Sequence, residues 1–484
     1  MSAPEAVRTS RAALFACLAA GFATLLDATV VAYTAPSVSQ SLGATTAGVQ
    51  WFLASYSLTF GLGLVPAGRL GDAFGRRGLF VGGMVTFLLG AVASAFAPSI
   101  ALLVAGRLLQ GLGAGVISAQ VLGVIQDIFH GSARVRAFGA YTAAGALAAI
   151  IGPLLAGLLL WLAPVELGWR LVLLSSAPFA IVAIWLGVRS LPNEPHGAGS
   201  TGRSTGRTAG LDLPGIALLG AIVVMVTLPV IDPGMPLPAI LAVVGGSAIL
   251  IAALVGWERA YARRGRLPLF APQLLRSHGF VTGNVVALLW FGSLVAFSTV
   301  TTVYFLQGHG IPALVIAAAF VPGSLARMVA SRSSSKFFDR FGPRIVALGL
   351  GVEMVCLLLV IGFTFVWEGW GLFVAAAILQ IALGFTGGMI EPPLRAITLG
   401  FAPPTLHGVA ASFLQLTQRL SATFFVALAT GVILGAGGAL SLEGLRIAVG
   451  ICVVAVAGAI VAATRRSLRR PAPVLPAISV DAPA

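Results

Sequence analysis

The sequence predicts an all-α membrane protein of about fourteen transmembrane helices, arranged as two six-helix halves with two helices inserted between them. Three observations lead there. Of 484 residues, 58% are hydrophobic and 9% charged, with a mean hydropathy of +1.01. Soluble domains carry about 25% charged residues, so this composition cannot build a water-facing surface. The apolar residues fall into runs long enough to cross a bilayer, each needing about 20 residues as a helix. The basic residues gather on alternate connections between those runs.

Cut at charge clusters and Pro/Gly turns, the runs cover residues 12–38, 49–68, 79–97, 100–124, 138–162, 169–188, 213–231, 237–257, 280–305, 311–330, 345–366, 370–390, 408–434 and 445–463. The first follows Arg8 and Arg11, as a signal peptide would. It is long, contains Asp27 and lacks an A-x-A site before a polar mature region, so an uncleaved helix is expected. With the N-terminus cytoplasmic, one face receives Arg69, Arg76, Arg77, Arg134, Arg136, Arg189, Arg259, Arg263, Arg327, Lys336, Arg340, Arg344 and the arginines from Arg465 to Arg470. The other face keeps only Arg170 and Arg446, with Glu166, Asp232, Glu368 and Glu443. This is a positive-inside pattern with both termini cytoplasmic. The net charge of +14 therefore marks a membrane face rather than a nucleic-acid partner.

Residues 1–190 form the expected first half and 279–464 the second, with the inserted pair at 213–257. A Gly/Ser/Thr/Arg-rich linker at 191–212, a basic connector at 258–278 and a cytoplasmic tail at 465–484 join or follow them. An internal echo supports the halves. Asp72, Phe74, Gly75 and Arg77 follow the second run, and Asp339, Phe341, Gly342 and Arg344 follow the tenth in the same D-x-F-G-x-R order, 267 residues later.

Four stretches carry chemistry. Gly68 to Arg77 reads GRLGDAFGRR. An ordinary positive-inside hairpin explains its arginines, whereas Asp72 among glycines suits a tight turn beside a positive helix N-terminus. Leu103 to Gly115 reads LVAGRLLQGLGAG. Arg107 within a span needs a partner or a watery cavity, or must snorkel to the interface. Leu26 to Pro36 reads LDATVVAYTAP, and Asp27 there must pair with a cation or take up a proton. Asp27 and Arg107 sit at similar depth, about 15 Å from the outer ends of their helices, so a structural ion pair and a proton-handling site are both open. Gly152, Pro153 and Gly157 bend the fifth helix or let a neighbour approach it.

These stretches resemble the major facilitator superfamily. Residues 68–77 match its loop signature G-x-L-x-D-x-x-G-R-R, and Arg107, Gln110, Gly111 and Gly113 match its fourth-helix R-x-x-Q-G-x-G. Gly152, Pro153 and Gly157 are similar to the antiporter motif G-P-x-x-G-G, with Ala156 replacing a glycine. Residues 26–36 resemble the first-helix motif of its fourteen-helix drug:proton antiporters, with Ala32 at an asparagine. Trp169, Arg170 and Pro178 resemble the sixth-helix motif, with Ser176 at another.

The resemblance implies a major facilitator fold exporting a small amphipathic or cationic compound, a drug or xenobiotic, against inward proton flow. It gives Arg107 a role in proton coupling, in which Asp27, a carboxylate inside the membrane at the same depth, is the expected proton carrier. It makes Gly68, Asp72, Gly75, Arg76 and Arg77 a latch in which Asp72 meets the N-terminus of the thirteenth helix. Both missing asparagines belong to positions expected near the cavity. Cavity candidates are Tyr33, Trp51, Tyr56, Gln110, Trp290, Phe297, Tyr304, Glu391, Gln415 and Arg419, the aromatics through apolar or cation–π contacts. Glu391 and Arg395, four residues apart, sit at the cytoplasmic end of the twelfth run, where an ion pair and a coupling site are both open.

Other classes find little support. Cys17, Cys356 and Cys452 lie in apolar runs as packing residues. The five histidines lack metal-ligand spacing and no phosphate loop of the G-x-x-x-x-G-K type occurs. No catalytic set is clustered, so neither an enzyme nor a cofactor is expected, the proton gradient being the drive. The expected partners are a small-molecule substrate, protons and the lipid bilayer, with no nucleic acid, and the expected unit is a monomer in a bacterial cell membrane. Export of an endogenous metabolite, such as an amino acid, sugar or self-made antibiotic, is the alternative substrate reading, and a membrane sensor the remaining one.

Overall fold

A computed structural model describes residues 3–191, 212–231, 235–264, 272–435 and 441–465. The body of the linker, the middle of the basic connector and nearly all of the tail lie outside them. Sixteen α-helices run in order: α1 (Ala3–Leu42), α2 (Thr46–Phe74), α3 (Arg76–Ala95), α4 (Ile100–Ile128), α5 (Gly131–Leu162), α6 (Val165–Leu174), α7 (Ala177–Ser190), α8 (Leu213–Ile231), α9 (Leu237–Arg263), α10 (Pro272–Arg276), α11 (His278–Val303), α12 (Ala313–Phe341), α13 (Arg344–Phe363), α14 (Gly369–Gly400), α15 (His407–Gly435) and α16 (Leu442–Thr464). No strand occurs among the described residues. A bilayer core offers no water to free N–H and C=O groups, so apolar runs of this length satisfy them internally as helices.

Counting α6 and α7 as one span broken at Ser175 and Ser176, and setting aside the five-residue α10, fourteen helical positions match the fourteen runs. Twelve are long and apolar enough to cross a membrane on described residues alone; α8 and α12 are the other two. Side chains fix several starts: the hydroxyls of Thr45, Ser99, Ser277 and Ser441 accept hydrogen bonds from the backbone N–H three residues on. The motif glycines Gly75 (φ 89°) and Gly342 (φ 58°) take left-handed conformations at the α2–α3 and α12–α13 turns, so the sequence echo is also a backbone echo.

The first half packs α1 on α5 and α7, α2 on α4, and α3 on α4 and α7. The second repeats this with α11 on α15 and α16, α12 on α14, and α13 on α14 and α16. The halves meet where α2 faces α15 and where α5 faces α12 and α14. The inserted α8 and α9 pack on each other, with α8 against α2.

Several helices outrun the apolar runs. α1, α2, α5, α12 and α14 continue through Pro36, Pro66, Pro153, Pro322 and Pro392–Pro393, which neighbouring helices make tolerable. Residues 391–400 therefore belong to α14, and Glu391 with Arg395 is inside a helix rather than at its end. Likewise α12 runs on past the end of the 311–330 run to Phe341, so Arg327 lies well inside a helix.

Candidate functional site

A cavity of about 730 Å³ lies between the halves. α1, α2, α4 and α5 wall one side; α11, α12, α14 and α15 wall the other. Its lining mixes apolar residues such as Phe60, Phe291 and Phe320 with Tyr56, Gln415, Gln418 and the charged Arg327, Glu391, Arg395 and Arg419. A mostly apolar, concave space with a few converging polar groups is the form of a small-molecule site.

Behind Tyr56 lies a closed polar knot. Nη1 of Arg107 donates to Oδ2 of Asp27 at 2.7 Å and to Oε1 of Gln110 at 2.7 Å, while Nε2 of Gln110 donates to Oδ1 of Asp27 at 2.9 Å. Asp27 and Gln110 are 0% exposed and Arg107 is 1% exposed. The guanidinium lies 4.5 Å from the centre of the Tyr56 ring, whose hydroxyl donates to the carbonyl of Thr24. α4 reaches α2 closely enough for this because a Cβ on Gly111 would collide with the carbonyl of Tyr56. Gly152 performs the same service between α5 and α1: a Cβ there would strike Thr29, two residues from Asp27. Pro153 follows it within α5, whereas Gly157 faces open space.

A second polar knot joins the halves at the arginine-rich end. Oδ1 of Asp72 accepts from the N–H of Gly408 at 2.8 Å, and Oδ2 from that of Val409 at 3.0 Å, at the start of α15. Arg76 donates to Asp72 at 2.7 Å and pairs closely with Asp127 at the end of α4. Nδ1 of His407 meets Asp127 at 2.6 Å. A carboxylate facing the orphan N–H groups of a helix start is doubly favoured, by hydrogen bonding and by the helix dipole. Contact this close requires Gly68 and Gly408, since a Cβ on either would enter the other's backbone. Nearby, Gln126 donates to the carbonyl of Leu399, and the Ser412 hydroxyl to that of Leu64 at 2.8 Å. Arg77, although in the same motif, forms none of these bonds among the described residues and lies half-buried beside the turn. Asp339, the echo of Asp72, is exposed.

Within the second half, Glu391 pairs with Arg395 at 2.6 Å and with Arg327 at 3.7 Å, and all three face the cavity. Arg419 stacks over Phe60 at 4.0 Å across the half interface.

The other cavity candidates sit elsewhere. Tyr33 (43% exposed) and Trp51 (41%) are exposed on α1 and α2 and do not line this cavity. Gln110 is enclosed in the Asp27 knot. Trp290 is buried against α13, donating its indole N–H to Glu353 at 2.8 Å. Phe297 lines a small separate void with Phe305, Phe320 and Phe373, and Tyr304 packs on Phe305 and His309. Ala32 and Ser176 are also off the cavity wall, so the missing asparagines do not reshape it. Arg170 instead ties α6 to the end of α3, donating to the carbonyls of Ala95 and Ala97.

Sequence reasoning missed Asp127 and His407, which are distant in the chain and meet only through tertiary packing, and it counted Arg327, near the end of the 311–330 run, with the basic residues of the cytoplasmic face rather than with the cavity. One available signal was that a motif arginine beside an aspartate at the end of α4 needs an acid partner.

A helical bundle of two like halves around a cavity with a few converging charged and polar groups, with a polar knot bridging them at one end, defines a membrane transporter. The sequence profile of the Major Facilitator Superfamily matches residues 17–426, and the chain belongs to that family. It is 33% identical over 430 residues to a puromycin resistance protein of Streptomyces alboniger, covering 87% of this chain and 81% of that one. Over 425 residues it is 30% identical to a probable actinorhodin transporter of Streptomyces coelicolor, covering 86% and 71%. A cephamycin export protein of Amycolatopsis lactamdurans is 30% identical over 432 residues, covering 87% and 84%. The solved structure of the proton:xylose symporter XylE bound to 6-bromo-6-deoxy-D-glucose superposes with a TM-score of 0.64 at 15% identity, covering 93% of this chain and 95% of that one, a likeness of fold.

Proposed function

We propose that this transporter exports a small amphipathic or cationic compound, a drug or xenobiotic, in exchange for protons by alternating access. The observation that carries the reading is the buried Asp27–Arg107–Gln110 knot beside the cavity. Protonating a carboxylate held by one guanidinium would break that pairing and change what Arg107 and Tyr56 offer the cavity. Asp27 takes a proton when the cavity faces outward and gives it up inward, Arg107 setting the ease of both.

The Asp72 knot acts as the latch, holding the arginine-rich end shut until α2 and α15 part. That end is the cytoplasmic one, both termini lie there, and the halves are residues 1–190 and 279–464. The proton gradient supplies the drive, so no cofactor is needed, and a monomer suffices. A second reading, export of a self-made antibiotic, is favoured by relatives named for cephamycin export and actinorhodin transport.

The test is reconstitution into proteoliposomes with an imposed pH gradient. Substrate-induced proton release is expected from the wild type and is expected to vanish in Asp27→Asn while substrate binding persists. Full proton coupling in that variant would remove Asp27 from the mechanism.

A further inference from the structure

The charges on the cavity wall are unbalanced. Three guanidinium groups, from Arg327, Arg395 and Arg419, face it with a single carboxylate, Glu391. Asp27 is already neutralised by Arg107 and shielded behind Tyr56. Glu353 lies behind the wall on α13, bonded to Trp290. If Glu353 is ionised, three positive charges meet two negative; if it is protonated, they meet one. The cavity is positive either way. Glu391 is also occupied, with Arg395 at 2.6 Å and Arg327 at 3.7 Å, so an incoming cation would have to displace an internal partner.

We propose that the cavity between the halves, where Arg327, Arg395 and Arg419 outnumber Glu391, takes anionic amphipathic compounds: a flat aromatic or apolar body bearing a carboxylate or ionised phenol. The inference rests on the export reading and narrows it, setting aside a cationic substrate. Guanidinium groups present a planar fork of donors that suits a carboxylate, and a low-dielectric wall focuses their field on a small anion. Arg419 is pre-positioned by its stack on Phe60, while Phe291 and Phe320 supply apolar surface for the ligand body. Nε and Nη1 of Arg395 have no acceptor among the described residues, so its donors are not exhausted by Glu391.

Fluorescein and rhodamine 6G share a xanthene body and carry opposite charge, which makes them matched probes. With the full-length protein in detergent, fluorescence anisotropy is expected to show fluorescein binding on the order of tenfold more tightly than rhodamine 6G, the scale of one charge-assisted hydrogen bond. Arg419→Gln is expected to erase that preference and Arg419→Lys to keep it. Equal binding, preference for rhodamine 6G, binding of neither dye, or a preference unchanged in Arg419→Gln would overturn the anion site. Dye movement into proteoliposomes under a pH gradient separates the two readings. Fluorescein bound but not moved would overturn export and leave the anion site standing; rhodamine 6G moved in place of fluorescein would do the reverse.

Discussion

At the scale of single residues, burial sets the stakes. Taking a guanidinium and a carboxylate to 1% and 0% exposure carries a desolvation cost of several kcal/mol per ion, which the pair offsets only while both members are present. Arg107→Gln strands Asp27, and a loss of about 3–5 kcal/mol is expected, read as a lower melting temperature in detergent. Asp27→Asn with Arg107→Gln removes both charges and is expected to recover most of that loss. A double variant as unstable as Arg107→Gln alone would show that the two side chains do not depend on each other. Sequence reasoning anticipated this pair because a charge inside a bilayer must find a counter-charge at its own depth, and the two spans place Asp27 and Arg107 level. No such rule finds Asp127 and His407, which lie at helix ends where water is an equally good partner.

At the scale of elements, the α2–α15 contact is built on missing side chains. A Cβ on Gly68 would reach the Gly408 carbonyl and the Ser412 hydroxyl at distances no real contact adopts, so Gly68→Val must push α15 away. That substitution is expected to prevent closure of the arginine-rich end. A cysteine introduced at Leu64, buried at 0% beside the Ser412 hydroxyl, would then react with a water-soluble maleimide that spares it in the Gly68 background. Asp72→Asn keeps the packing and one weaker acceptor, so a smaller rise in labelling is expected. Labelling unchanged in Gly68→Val would separate the glycine from closure. The motif was plain in the sequence because it is a local turn, with Gly75 at φ 89°. Helix lengths were not, because prolines and charges that would end a helix in water do not end one whose neighbours satisfy them. In α14 the Glu391–Arg395 pair and the prolines between them are buried against the cavity and α5, and the helix runs on to Gly400. Counting charges near the end of a run toward the membrane face left Arg327 off the cavity wall, although Glu391 and Arg419 were placed on it.

At the scale of the whole molecule, the fourteen positions are unequal. The cavity, the Asp27 knot and the Asp72 knot draw every residue from the twelve helical positions of the two halves and none from α8 or α9. The inserted pair is held by its own contacts: α8 packs on α9, and the Asp212 carboxylate that caps α8 also accepts the Trp257 indole N–H at 2.8 Å. Toward the body, α8 lies along α2, where a Cβ on Gly220 would meet the Leu62 side chain. An element with internal ties that touches the body mainly along α2, with a smaller contact on α15, is an addition to a complete core, and two half-bundles with their own buried interface do not need it to close. Deleting residues 213–257 and joining the flanking polar segments is therefore expected to leave a twelve-helix protein that purifies as a single species and still binds the anionic probe. Its melting temperature should fall, since the α8-facing side of α2 loses its cover, while Arg419→Gln should still abolish the charge preference. Loss of probe binding in a monodisperse deletion variant would mean that α8 and α9 shape the cavity through α2, and the two-half core would not be self-sufficient.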